Sequence, residues 1–310
     1  MTLSLSVVII TFKRPEFLRR CLRSLAALDV QPAEVLVVDQ SPDDESRVVA
    51  IAEGERWLDN RANAGNMTSS RNVGLSAATG DVVAFLDDDV EVGPGWGQAL
   101  LDLFAQRPDV GGATGLTLND GQAHTNCAEV GSISATGRLI GHFECTQVQT
   151  RQDVQHLLGA NMAFRRAILL DLGGFDEEWP GTSMAEDSDI ALRVRRAGWS
   201  LVFDPAAQVV HFGAPHVVGA RFDLRYHYFA RRNYTRLLLR HQELLRLGPV
   251  AYLRAALQED LASERRPTSR AARLVTTVAA VIVGAAAATR RGEARGAALR
   301  RTVRTRRTSR

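Results

Sequence analysis

Cysteine is scarce in this chain. Its 310 residues include three, Cys21, Cys127 and Cys145, too few and too scattered for a disulfide framework or a zinc cluster. The N-terminus has no basic segment, apolar stretch and cleavage site in succession, so no secretory signal is expected and a reducing, cytoplasmic setting is the default. Lysine is nearly missing: Lys13 stands alone, and every other basic side chain apart from histidine is arginine. No apolar run reaches the roughly 20 residues that cross a bilayer, which excludes a polytopic membrane protein. No internal repeat occurs, which excludes a solenoid. What remains is a composition with 45% hydrophobic and 24% charged residues, that of a globular protein able to bury a sizeable core.

The charge is unevenly spread. Residues 265–310 carry 13 arginines against one acid, Glu293, so the net charge of +3 divides into +12 on this tail and −9 on residues 1–264. An acidic body with a basic tail is two different objects. A peptide of +12 would bind any nucleic acid non-specifically. With no nucleic-acid-binding module in sight, no specific nucleic-acid partner is expected, and an Arg-rich nucleic-acid-binding protein ranks as an alternative only.

Strands and helices alternate along the first third. Ser4–Ile10 is a short β-branched run that reads as a buried strand, and Val35–Val38 and Val82–Leu86 read as a second and a third strand. Between and after them, Pro15 opens an amphipathic segment with Leu18, Cys21, Leu22 and Leu25 on one face, Met67–Ala78 reads as a helix stopped by Gly80, and Pro94–Gln106 as another. This alternation implies an α/β fold on a mostly parallel sheet. Residues 116–156 are polar and Gly-rich, without a strong period. Beyond them the pattern predicts a strand over Leu158–Phe164, helices over Arg165–Leu172 and Ser188–Ala197, strands over Trp199–Phe203 and Gln208–Phe212, and a long helix over 222–247.

In open α/β sheets, ligands bind beyond the carboxyl ends of the strands. Asp39 and the Asp87, Asp88, Asp89 trio all fall there. Acids gathered on one rim repel one another unless a cation joins them. Their oxygen-only character points to Mg²⁺ or Mn²⁺, which complete their shells with water and phosphate oxygens, and so to a nucleoside diphosphate. Gly65 permits a tight turn into the Met67 helix, whose N-terminus can receive an anion, and Arg71 sits one turn in. Glu186 and Asp187 precede a helix, where Ser183 and Glu186 also fit a capping box. His211 follows 24 residues after Asp187, at the end of an apolar strand. Trp179 lies after Gly174-Phe175-Asp176 and reads equally as a sugar-stacking ring or a core plug.

The segments SVVIITFKRPEFLRRCLRSL, VLVVDQSPDD, NAGNMTSSRNVGLSAATGDVVAFLDDDV and GFDEEWPGTSMAEDSDIALRVRRAGW, in that order, resemble the family 2 inverting glycosyltransferases with a GT-A fold, of the rhamnosyl- and galactofuranosyl-transferring kind. The resemblance spans roughly residues 4–212. It implies a Rossmann-like nucleotide-binding half (1–115) and an acceptor-binding, catalytic half (116–215) around one mixed sheet, followed by C-terminal helices (216–264) and the basic tail (265–310). It also implies that Thr11, Lys13 and Arg14 line the first nucleotide-contacting loop, with Asp39 at the base or ribose. Gly65 and Arg71 approach the donor. Asp87 and Asp89, with Asp88 between them, match the DXD motif that holds metal and diphosphate. Asp187 matches the general base, and His211 a metal-contacting histidine. Many members read Asp-Asp-Gly-Ser where this chain has Asp39-Gln40-Ser41-Pro42.

The implied reaction is a single displacement, in which an acceptor hydroxyl attacks the anomeric carbon of a nucleoside-diphosphate sugar and Asp187 takes up its proton late. The implied acceptor is a glycan or lipid-linked glycan of cell-surface polysaccharide or glycolipid synthesis. A sugar-phosphate nucleotidyltransferase would share sheet and metal, but TFKRPEFL lacks the glycines of its phosphate loop. Leu274–Ala288 is an apolar run of 15 residues flanked by Arg270, Arg273, Arg290 and Arg291. It reads as a shallow helix at the anionic, cytoplasmic face of a membrane.

Overall fold

A computed structural model describes residues 3–122, 127, 129–134, 138–181, 184–214, 223–246, 248–263 and 267–288. The elements in chain order are β1 (Leu5–Thr11), α1 (Pro15–Ala26), β2 (Glu34–Asp39), α2 (Glu45–Ala52), β3 (Arg56–Asp59), α3 (Met67–Ala77), β4 (Val82–Asp87), β5 (Val90–Val92), α4 (Trp96–Gln106) and β6 (Val110–Asn119). Then follow β7 (Ser132–Ile133), β8 (Leu139–Ile140), β9 (Gln152–Val154), β10 (Asn161–Arg165), α5 (Arg166–Asp171), α6 (Glu186–Arg196) and β11 (Ser200–His211). The C-terminal helices are α7 (Leu224–Arg240), α8 (Gln242–Leu245), α9 (Pro249–Ala262) and α10 (Pro267–Ala288).

One nine-stranded sheet runs in the order β3-β2-β1-β4-β10-β6-β11-β5, with β9 added on β11. Strands β1 to β4 are parallel, β10 is antiparallel to both its neighbours, and β6 and β11 are parallel. This is a mixed α/β sheet. Every residue of β1 is buried, as a central strand covered on both faces requires. Its odd residues Leu5, Val7 and Ile9 pack under Leu18, Leu22 and Leu25 of α1 and Trp96 and Leu100 of α4. Its even residues Val8 and Ile10 pack on the opposite face with Leu75 of α3, Leu169 of α5 and Ile190 of α6. A third cluster joins Trp179, Leu192, Leu237, Tyr252 and Val281, and seats the C-terminal helices on α6.

The Gly-rich stretch that reads as patternless begins inside a strand. Val110–Leu116 is buried throughout, because neighbours occupy the space that side chains on its glycines would take. Trp199 and Val194 cover Gly111, Phe164 and Leu201 cover Gly112, and the Ala207 backbone lies against Gly115. The two strands expected at Trp199–Phe203 and Gln208–Phe212 are one, β11, which keeps register with β6 across a bulge between Asp204 and Val209. Ala207 lies in that bulge. Gly115→Ala is therefore expected to destabilise by more than the about 1–3 kcal/mol of ordinary overpacking, since the methyl would meet backbone rather than a movable side chain. Denaturant unfolding checks this, with Gly95→Ala, which has open space around its Cα, as the near-neutral control.

One expectation is corrected. Cys127 and Cys145 form a disulfide, with Cα atoms 6.2 Å apart. The scatter of cysteines in sequence hid this pairing, which depends on the segment after β8 folding back so that the Thr117 N–H donates to the Phe143 carbonyl at 2.9 Å. Helix α7 is held to α9. Tyr234 stacks 5.0 Å from Tyr252, and Arg231 pairs with Glu259 at 2.9 Å, both on α9. The tail beyond Ala288, the proposed cap residue Ser183 and most of the connection before α7 lie outside the described residues.

Candidate active site

The carboxyl ends of β1, β2 and β4 line one edge of the sheet. Asp87 closes β4, and the turn that follows carries Asp88 and Asp89 into β5. Strand β5 pairs with the far end of β11, placing His211 opposite Val90. That pairing carries a residue more than a hundred positions away to the trio. The Phe212 N–H donates to the Asp89 carbonyl at 2.9 Å, and the Ala214 N–H donates to Asp89 Oδ2 at 2.7 Å. His211 Nε2 then stands 3.3 Å from Asp89 Oδ1, and Nδ1 3.4 Å from Asn119 Oδ1.

One ligand atom from each of Asp87, Asp89 and His211 falls within 4.8 Å of the other two. Asp87 Oδ1 is buried with no hydrogen-bond donor and has only the Arg71 guanidinium at 3.6 Å. Two carboxylates and an imidazole around a partnerless buried oxygen fit a divalent cation of the Mg²⁺ or Mn²⁺ class. The electrostatics agree. Burial, with Asp89 adding to it, pushes the Asp87 carboxyl up despite Arg71. At Asp89 burial also acts upward, but His211, the Ala214 N–H and Arg14 outweigh it and hold the carboxyl below the usual range.

The middle acid behaves differently. Asp88 is buried and accepts from Thr11 Oγ1 at 2.8 Å and from Arg14 at 3.2 Å. Burial pushes it up to about 7. Thr11, Arg14 and Asp88 thus form one internal brace under the first loop, and Arg14 also reaches Asp89 at 3.5 Å. Lys13 is exposed, with left-handed backbone (φ 58°), and its N–H donates to Ser41 Oγ at 2.7 Å. Asp39 is fully buried and accepts from the Ser41 N–H at 2.8 Å and Trp57 Nε1 at 3.1 Å. Gln40 donates to the carbonyls of Asn63 (2.6 Å) and Asn66 (2.9 Å) and so ties β2 to the loop holding Gly65. Gly65 has φ +81° with open space around it, and Asn66 caps α3 by accepting from the Ser69 N–H at 3.0 Å.

Arg71 links the two halves of the site. It is 1% exposed, an extreme for a guanidinium, and lies between Asp87 and Glu186, to whose Oε1 it donates. Its NH2 group donates to the Gly159 carbonyl at 3.3 Å. The N–H of the same Gly159 donates to Asp187 Oδ2 at 3.0 Å, while the Ser188 N–H holds Asp187 Oδ1 at 2.7 Å. Asp87 and Asp187 therefore sit on opposite sides of one arginine and one glycine. A Cβ at Gly159 would press on both Arg71 and Asp187 at 3.2 Å.

Sequence reasoning passed over Glu186 and Gly159. Glu186 is not half of a capping box with a described partner; it is buried, and burial pushes it up to about 7 although Arg71 opposes this. The doubled acid beside a helix start, with an arginine to spare on α3, was the available signal. Gly159 left none. Trp179 is 3% exposed and lies under the Arg236 guanidinium, 4.8 Å from it, as part of the third core cluster. A cavity of about 330 Å³ opens beside the start of α3, lined by Gly65, Asn66, Glu178, Trp179, Pro180 and Arg232, among others.

Known proteins show the same arrangement of sequence. Residues 4–236 match the family described as Glycosyltransferase like family 2. The chain is 30% identical over 240 residues to N-acetylglucosaminyl-diphospho-decaprenol L-rhamnosyltransferase of Mycobacterium tuberculosis, covering 69% of this chain and 78% of that one. It is 30% identical over 225 residues to the succinoglycan biosynthesis protein ExoM of Rhizobium meliloti, covering 67% and 66%. Among solved structures, the mannosyltransferase PcManGT of Pyrobaculum calidifontis, in complex with GDP-Man and Mn²⁺, superposes over 98% of this chain and 80% of that one, with TM-score 0.52 and 20% identity. GalNAc-T7 with UDP, GalNAc and Mn²⁺ gives TM-score 0.59 at 17% identity over 89% of this chain, which spans 55% of that longer one. At such identities the structural likeness speaks for the GT-A fold.

Proposed function

This chain belongs to the family 2 glycosyltransferases, and from that premise we propose that it moves a sugar, with inversion, from a nucleoside-diphosphate donor to a hydroxyl of a glycan or lipid-linked glycan. The observation that carries the proposal is the short contact chain that joins the Asp87, Asp89 and His211 cluster to Asp187 through Arg71 and Gly159. The relatives' names, an N-acetylglucosaminyl-diphospho-decaprenol L-rhamnosyltransferase and a succinoglycan biosynthesis protein, support an acceptor of cell-surface polysaccharide or glycolipid synthesis.

Asp87, Asp89 and His211 would hold Mg²⁺ or Mn²⁺, which would supply Lewis-acid stabilisation of the departing diphosphate. The chain's own residues do the rest. Lys13, at the rim, and Arg14 add positive charge along the path of the leaving group, and preorganised charge of this kind stabilises what develops in the transition state. Gly65 leaves the loop before α3 open to the donor. Asp39 and the Gln40-anchored loop form the floor on which base and ribose rest. Asp187 accepts the acceptor's proton. A carboxylate is too weak a base to ionise an alcohol in advance. It accepts the proton late, when the sugar has oxocarbenium character and the hydroxyl has become acidic. Its two oxygens are aimed by the Gly159 and Ser188 N–H groups. The acceptor enters from the Trp179 side, where the cavity volume is of the size that ligand sites have, about 300–1,000 Å³.

The test is donor binding. In calorimetric titrations of UDP, dTDP and GDP with and without Mn²⁺, one nucleotide is expected to bind in a metal-dependent way. Asp89→Ala is expected to abolish that dependence while leaving metal-independent binding in place. A nucleotide that binds wild type and Asp89→Ala alike, with or without Mn²⁺, would remove the metal from the proposal.

A further inference from the structure

Between residues 271 and 286, every exposed side chain of α10 is apolar. Ala271, Val275, Val278, Ile282 and Ala286 follow one another at three- and four-residue steps, which keeps them on one face over four turns. Val275 is 72% and Ile282 64% exposed. A continuous apolar stripe of this length marks a docking surface.

The opposite face of α10 is committed to the protein. Thr277 Oγ1 donates to Asp260 Oδ2 at 2.5 Å and lies 2.8 Å from His227 Nε2, and Arg273 NH1 lies 3.2 Å from His227 Nδ1. Gly284 lies so close to α7 that a Cβ there would strike the Arg232 carbonyl and Thr235. The stretch Ser269–Ala288, of mean hydropathy 1.8, is long enough to cross a bilayer, longer than the 15-residue run visible in sequence. Crossing would strip the buried Asp260 and His227 of these partners and carry Arg273 and Thr277 into hydrocarbon, which offers them no replacement.

We propose that α10 docks this protein on an anionic lipid surface by lying in the plane of the interface, with the Val275–Ile282 stripe among the acyl chains and its other face still seated on α7 and α9. Charge selects this occupant. The sequence from 265 to 310 carries +12. Anionic headgroups attract that charge, whereas a second copy of the chain would bring an equal positive charge against it. The last turn of α10 contributes Ala287 to the cavity lined by Asn66, Trp179 and Arg232, so docking by this face brings the bilayer to the acceptor side of the cleft.

The use of this surface rests on the acceptor reading given above, but its test does not, because no donor or acceptor is present. Full-length protein is sedimented with vesicles of phosphatidylcholine alone and of phosphatidylcholine with phosphatidylglycerol. Binding to the anionic vesicles is expected, weakened by salt and reversed by alkaline carbonate. Val278→Glu with Ile282→Glu, at exposed positions outside the cleft, is expected to cut binding more than about tenfold with an unchanged circular dichroism spectrum and Tm. Four results would each overturn the proposal: no sedimentation with anionic vesicles, equal binding to neutral ones, binding unaffected by the double substitution, or retention through alkaline carbonate, which signifies a spanning helix. A dimer that the same substitutions dissolve would assign the face to a second copy instead.

Discussion

Asp187→Asn is expected to lower kcat by about 10²–10⁴-fold, the usual worth of a positioned general base, while metal-dependent nucleotide binding stays as in wild type. Asn is isosteric, and its carbonyl oxygen can still accept one of the two N–H groups, from Gly159 or Ser188, that fix the carboxylate. The fold is thus kept and the proton acceptor lost. The substituted amide cannot take a proton from the attacking hydroxyl, so the loss falls on the chemical step and not on donor affinity. Steady-state kinetics with a responsive donor, alongside calorimetry of the same nucleotide, separates the two. A variant with near-wild-type kcat would strip Asp187 of this role. One that lost nucleotide binding as well would make it part of the donor site instead.

Arg71→Leu is expected to be the most destabilising single change in the cleft. The arginine is fully buried between Asp87 and Glu186, and taking one member from a buried ion pair typically costs about 3–5 kcal/mol because the remaining charge is left unpaired. Leucine keeps apolar volume but offers neither acid a donor. The cost should depend on pH with a definite sign. Glu186 is already pushed up to about 7 by burial, and losing Arg71 removes the influence that holds both it and Asp87 down. In the variant the folded state then binds more protons than the unfolded chain between the unfolded pKa of a carboxyl, about 4, and the raised folded values. Stability is therefore greatest at the acid end of that window and falls as pH rises through it. Denaturation in EDTA at pH 5 and pH 8 should show a larger deficit at pH 8. Adding Glu186→Gln should recover part of it by removing one of the stranded charges. An equal deficit at both pH values would mean that Arg71 acts through packing alone.

Strands β1, β2 and β4 were legible because they are almost wholly buried on both faces, whereas the half-exposed β3 was not. Such buried strands must be near-continuous apolar runs, and Ser4–Ile10, Val35–Val38 and Val82–Leu86 are. The acids that end them, Asp39 and Asp87, could then be placed on one edge. Strand β6 was not legible. Its glycines carry no side-chain pattern, and only the residues that fill the space above them, Trp199, Phe164, Leu201 and Ala207, show that a strand lies there. The disulfide was hidden for a related reason: it depends on a fold-back with no local signal.

Sequence by itself determined the chemistry of this protein's cleft: which side chains carry charge, and that acids collect where parallel strands end. That follows from strand burial and from the rule that ligands meet such sheets at their carboxyl edge. Tertiary structure decided how those acids differ. Asp88 turns to Thr11 and Arg14, while Asp87 and Asp89 face His211 because β5 pairs with β11. Glu186 is drawn inward to Arg71, leaving Asp187 on the cleft side of the same helix turn. Adjacent residues with identical side-chain chemistry are told apart only by what the rest of the chain packs against them.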